Sequence, residues 1–189
     1  MEIKAADVKR LRDKTGAGML DCKKALKEAE GDFAEAEKKL KEMGLAAAAK
    51  RSGRATEEGR VFTKVGEKMA VVLELACETD FVARNADFIK LGERMVSRII
   101  EKGLTEPNDD LNEMVKDTIS TIKENMALKR FKTIDIGENE MVSEYVHGEG
   151  AIGVLVKLKA DSRETLQKEA VKQFAFDTAL HIAAFNPLY

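Results

Sequence analysis

Tryptophan is absent from these 189 residues, and cysteine, histidine and proline occur only twice each. Cys22 and Cys77 lie far apart and form no CxxC pair, and His147 and His181 add no metal-site spacing. Zinc and redox readings are therefore weak, no cofactor is implied, and both cysteines are expected as buried, reduced thiols. Long apolar runs are lacking too. The longest contain charges such as Glu74 and fall short of the roughly 20 residues that span a bilayer. The start, MEIKAADVKRLRDK, is charged from its second residue and has no apolar h-region, which argues against a secretory signal and for a cytoplasmic protein. Catalytic signatures are missing as well: there is no phosphate loop ending in GKS or GKT, no GxSxG, no HExxH and no acid pair spaced for hydrolysis. The expectation is a protein that is not an enzyme.

What is present is a globular composition, 44% hydrophobic and 35% charged with a net charge of −2, long enough for one sizeable core or two modest ones. Residues 1–54 carry a small excess of Lys and Arg, whereas the remainder carries an excess of Asp and Glu. A mildly basic head before an acidic body suggests two units. The excess is too small and too diffuse for a nucleic-acid site, which concentrates cations among stacking aromatics.

Apolar residues at three-to-four spacing predict three short helices at the start, marked by Val8 and Leu11, by Met19, Cys22, Leu26 and Ala29, and by Phe33, Ala36, Leu40 and Met43. Gly16, Gly31 and Gly44 follow these runs as helix stops, and Asp32 is placed to cap the third helix. The stretch 45–60, LAAAAKRSGRATEEGR, reads as a frayed helix leading into a linker. Strand patterns follow at Val61–Val65 and Met69–Cys77, then helices at Ala86–Lys102 and Leu111–Glu124 separated by a turn at Pro107-Asn108. Three more strand-like runs, Ala127–Ile136, Met141–His147 and Ala151–Ala160, precede a last helix over Ser162–Ala184 capped by Ser162. The pattern predicts an α+β protein with residues 1–45 as a three-helix head, 46–60 as a linker, and 61–189 as a body with a mainly antiparallel sheet packed against helices.

Cys77 to Asn85, CETDFVARN, is the most informative stretch. It hands a strand over to a helix through a short polar loop, yet places an acid and a large aromatic, Asp80 and Phe81, where small polar residues are usual. Composition leaves open whether Phe81 tucks under the loop or projects into solvent. The segment TGAGMLDCKK joins helix to helix with no preceding strand, so its glycines serve a tight turn and not a phosphate cradle. His181 falls on the stripe Val171, Phe174, Thr178, Ile182 and Phe185 of the last helix and is expected in the core. His147 precedes Gly148-Glu149-Gly150 in a turn between strands and is expected to be exposed, as a contact residue or an idle one.

Three blocks, VKRLRDKTGAGMLDCKKAL over 8–26, LACETDFVARN over 75–85 and YVHGEGAIGVLV over 145–156, together with HIAAFNP near the end, resemble the bacterial elongation factor Ts family, the exchange factors of elongation factor Tu. The resemblance implies a ubiquitin-associated-like three-helix head, a linker and a core that grips the GTPase. It also implies a guanine-nucleotide exchange factor in translation that binds elongation factor Tu in its GDP-bound and nucleotide-free forms and needs no membrane or direct nucleic-acid contact. The family's Thr-Asp-Phe-Val motif falls on Thr79, Asp80, Phe81 and Val82, the segment associated with dislodging magnesium from the partner, which favours an exposed Phe81. Lys23, Ile122 and His147 match further contact positions. Two departures stand out: Lys123 occupies the usual glycine of the Ile-Gly-Glu-Asn segment, and the chain stops at Asn186-Pro187-Leu188-Tyr189, where long family members continue into a second core subdomain and a helical hairpin. The alternative from a different class is an adaptor whose helical head binds other proteins while the body is a passive scaffold.

Overall fold

Val8 and Leu11 are one helical turn apart, so both face inward from α1 (Ala5–Thr15), and the helix ends at Gly16, whose φ of 69° is the left-handed conformation that glycine adopts without strain. These observations come from a computed structural model that describes residues 3–187, so Met1, Glu2, Leu188 and Tyr189, which the sequence reading of the two chain ends included, lie outside it. Cys22, Ala25 and Leu26 of α2 (Met19–Glu28) and Ala36 and Leu40 of α3 (Phe33–Arg51) complete a small core with the α1 residues. Asp32 caps α3 by accepting from the Glu35 amide at 2.9 Å.

Gly44, expected as the stop of the third helix, is no stop. α3 runs through it to Arg51. The reason is packing: a Cβ at Gly44 would lie 2.5 Å from the Ser120 Cβ, so the missing side chain lets α3 cross closely over α6 (Asp109–Ile122). One turn further on, Ala48 joins the core of the body.

That core rests on alternation in β2 (Met69–Cys77), where Val71, Leu73, Leu75 and Cys77 share one buried face. They pack against Phe88, Leu91, Met95 and Ile99 of α5 (Ala86–Lys102) and Leu111, Val115 and Ile119 of α6. β2 is the middle strand of an antiparallel sheet between β1 (Glu58–Val65) and β3 (Met126–Asp135), with Leu73 opposite both Phe62 and Phe131. Asn85 and Asn108 cap α5 and α6 through their side-chain oxygens.

Where the pattern predicts one antiparallel sheet, the described residues form two. β4 (Glu140–His147) and β5 (Ile152–Lys159) pair only with each other, as a hairpin laid over β1. Gly153 allows the close approach, since a Cβ there would come within 2.4 Å of Val61. The last helical stretch is also divided. Ser162 caps α7 (Arg163–Gln167) as expected, accepting from the Thr165 amide at 3.3 Å, but Lys168 takes an extended ψ of 132° before α8 (Glu169–Phe185).

The inward face of α8 also differs from the expected stripe. Ala175 is fully buried and Ala179, with Ile182 and Ala183, lies on Val154 and Val156 of the hairpin, while Phe174 and Phe185 remain 60% and 71% exposed. His181 is accordingly no core histidine. It is exposed and stacks on Phe185 with ring centroids 4.6 Å apart. The small alanine face lets the helix approach the sheet closely, which the larger residues would prevent.

Candidate partner-binding face

The stretch between β2 and α5 is not an irregular loop. Asp80–Ala83 form a single helical turn, α4, whose N-cap is Thr79. The Thr79 hydroxyl accepts from the Val82 amide at 3.3 Å and donates to the Glu124 carboxylate at 2.9 Å, and the same carboxylate accepts from the Thr79 amide at 3.1 Å. Val82 and Ala83 point inward and are buried in the body core. With the turn pinned from below, Phe81 is left 82% exposed, and Asp80 beside it is exposed with the Arg84 guanidinium 3.8 Å away. Of the four motif residues, Asp80 and Phe81 face outward, Thr79 caps the turn, and Val82 is buried in the body core.

Residues 123–125 brace this turn. Asn125, only 5% exposed, donates from its amide to Glu78 at 2.6 Å and from its side chain to the Arg54 carbonyl at 2.7 Å. Lys123 ends α6 at φ 68°, the left-handed region in which a residue with a Cβ costs about 1–2 kcal/mol. Its ammonium reaches Asp21 of α2 at 2.8 Å, 102 residues away in sequence. Ile122 just before it is half-buried against the body core, so its side chain presents only part of itself. Cys77 lies at the base of the arrangement, fully buried, with its thiol pushed up to about 11 by burial and then by the nearby Glu124 and Glu58.

Lys23 is exposed on α2, one turn from Leu20, which is 83% exposed. His147, the last residue of β4, is exposed as well, and the Tyr145 hydroxyl holds its Nδ1 at 2.8 Å. Tyr145 in turn meets Phe176 of α8 edge to face, with centroids 5.9 Å apart. Bonded contacts thus run from the α2 region through Asp21, Lys123 and Glu124 to the Phe81 turn. Arg60 of β1 touches both that turn, at the Ala83 carbonyl, and the turn after His147, at Glu149.

Sequence reasoning missed Glu124, Arg60 and Leu20. Leu20 had a signal, an apolar residue beside a glycine turn on a marginal helical head. Arg60 had none, since it falls at the end of a stretch read as linker. A cleft of about 750 Å³ between α1–α3 and the helices α5 and α6 is lined by charges of both signs, several of them paired, such as Lys123 with Asp21 and Lys14 with Glu37. Among the described residues no cluster of three or more His, Cys, Asp or Glu side chains could hold a metal ion, and no helix is long and apolar enough to cross a membrane.

Fold and face together define an α+β protein whose candidate site is a raised, internally braced contact surface with an exposed aromatic at its centre. Residues 78–189 match the family model described as Elongation factor TS. Across the whole chain the sequence is 50% identical to Elongation factor Ts of Treponema denticola and 47% identical to that of Borrelia recurrentis, covering 68% of each relative. It is 44% identical to Elongation factor Ts of Treponema pallidum strain Nichols over 200 aligned positions, covering 69% of that protein. The chain belongs to the elongation factor Ts family, a family of translation elongation factors, and spans about two thirds of the length of these relatives.

Proposed function

We propose that this chain is a guanine-nucleotide exchange factor that binds elongation factor Tu in its GDP-bound and nucleotide-free forms and promotes GDP release in the cytoplasm. It makes and breaks no bond. Its work is differential binding: a factor that holds the nucleotide-free GTPase more tightly than the GDP form by some ratio must weaken GDP binding by the same ratio.

The observation that carries this reading is Phe81, exposed on a short turn that Glu124 and the buried Val82 hold in place. An exposed phenylalanine gains nothing from water. Covered by a partner, it is worth about 1.5–3 kcal/mol, available to offset distortion on the magnesium side of the partner's nucleotide site. Asp80 brings a carboxylate to the same spot, where it would compete for the magnesium shell. Thr79, not Asp80, supplies the cap of the turn, so among the described residues the Asp80 carboxylate is committed only to the Arg84 pair at 3.8 Å. Lys23 with Leu20 on the head, the end of α6 at Ile122, and His147 on the hairpin turn would complete the contact.

The test is release of fluorescent GDP from elongation factor Tu with and without the chain. A rate that climbs with chain concentration and saturates is expected. Release that stays at its spontaneous rate at every concentration would leave the passive adaptor as the better reading.

A further inference from the structure

Resting on the exchange reading of the Phe81 turn, we propose that Arg60 is a positioning residue that holds the Phe81 turn and the His147 turn in register. Arg60 lies in β1 opposite Leu75, and its side chain is only 15% exposed, so it is poorly placed to touch a partner. Its Nε donates to the carbonyl of Ala83, two residues after Phe81, at the end of the helical turn where carbonyls lack intrahelical partners. Its Nη2 donates at 3.3 Å to the carboxylate of Glu149, two residues after His147. A guanidinium is planar with donors at fixed angles, so one side chain sets the spacing of two acceptors that are 66 residues apart in number (83 and 149).

The hairpin turn is built around this arginine. Gly148, Glu149 and Gly150 adopt φ of 57°, 57° and 99°, a run of left-handed residues that folds the turn back towards β1. The Gly150 carbonyl accepts from the Val61 amide at 2.7 Å, and a Cβ on Gly150 would sit 3.0 Å from the Arg60 Cβ. Glu149 itself is 74% exposed, so its ion pair contributes little to stability. What the pair supplies is geometry. A wedge that is already in place on encounter avoids the ordering cost that a loose turn would incur on binding.

The experiment uses the full chain and fluorescent GDP bound to elongation factor Tu, comparing wild type with Arg60→Ala, Arg60→Lys, Glu149→Ala, Phe81→Ala and the Arg60→Ala/Phe81→Ala double variant. Arg60→Ala should lower the maximal release rate at least fivefold with a smaller change in the half-saturating concentration. Arg60→Lys, with one point of attachment, should stay within twofold of Arg60→Ala. The double variant should be no more than twofold slower than Phe81→Ala, because positioning has no value once the wedge is gone. Glu149→Ala, an exposed change that leaves the fold intact, should lose about twofold. In the free chain, amide exchange at residues 82–84 and 149–151 should accelerate together in Arg60→Ala. A wild-type maximal rate in Arg60→Ala, a double variant showing the full product of the two single effects, or unchanged amide exchange in both segments would each overturn the proposal. A wild-type chain that fails to accelerate release would instead overturn the exchange reading.

Discussion

Phe81→Ala separates a contact residue from a core residue by the ratio of two losses. Phe81 is 82% exposed, so the fold forfeits at most about a fifth of a phenylalanine's burial energy, about 0.5 kcal/mol. For a chain of this size that lowers the melting temperature by about 1–2 °C. If a partner covers the exposed remainder in the state that has lost nucleotide, about 1.2–2.4 kcal/mol of differential binding disappears. At about 1.4 kcal/mol per decade, catalysed GDP release should slow about eightfold to fiftyfold. Stopped-flow release of fluorescent GDP at saturating chain measures the second loss, and differential scanning calorimetry the first. A variant that melts many degrees lower with its release rate intact would refute the reasoning, because the side chain would then be holding the fold together.

Lys23→Glu reverses the charge of a proposed contact residue and should reduce the association rate with elongation factor Tu, chiefly at low ionic strength, and a rate unchanged in about 10 mM salt would remove Lys23 from the contact. Gly44→Ala ordinarily stabilises an exposed helix interior by about 1 kcal/mol, but the 2.5 Å clash with Ser120 should reverse the sign and cost about 1–3 kcal/mol, visible as a lower melting temperature. A rise would show that α3 does not cross α6 so closely. The raised Cys77 thiol predicts a stability term present below its ordinary value of 9.0 and lost as pH climbs towards about 11, since the unfolded chain ionises first. Urea titrations should therefore give Cys77→Ala a flatter profile than wild type over that interval, and parallel profiles would place the thiol in contact with water.

Local rules that depend on a few neighbouring residues were legible from the chain alone. The bounds of β2 and α5, the Asp32 and Ser162 caps, the left-handed Gly16 and the two buried cysteines follow from period, hydrogen-bonding groups and side-chain size within a handful of positions. The Thr79–Val82 motif was legible as a segment, and Phe81 as its anomaly. Whether Phe81 tucks in or projects depended on what Val82 and Glu124 do beneath it, and Glu124 comes from 45 residues downstream. Tertiary structure also decided three places where a local rule pointed the wrong way. Gly44 reads as a stop because glycine weakens a helix, yet close contact with α6 rewards the absence of a Cβ there. The face of α8 reads as its largest residues, yet the sheet accepts Ala175 and Ala179 and turns Phe174, His181 and Phe185 outward. The helix from Ser162 reads as continuous, since nothing local marks the break at Lys168. Arg60 is the sharpest case. Nothing within its own stretch distinguishes it from a solvated linker cation, and its two acceptors become neighbours only when β1, the Phe81 turn and the β4–β5 hairpin meet. A sequence specifies what each residue can bond; which acceptors come within reach of a buried donor is a property of the packed chain.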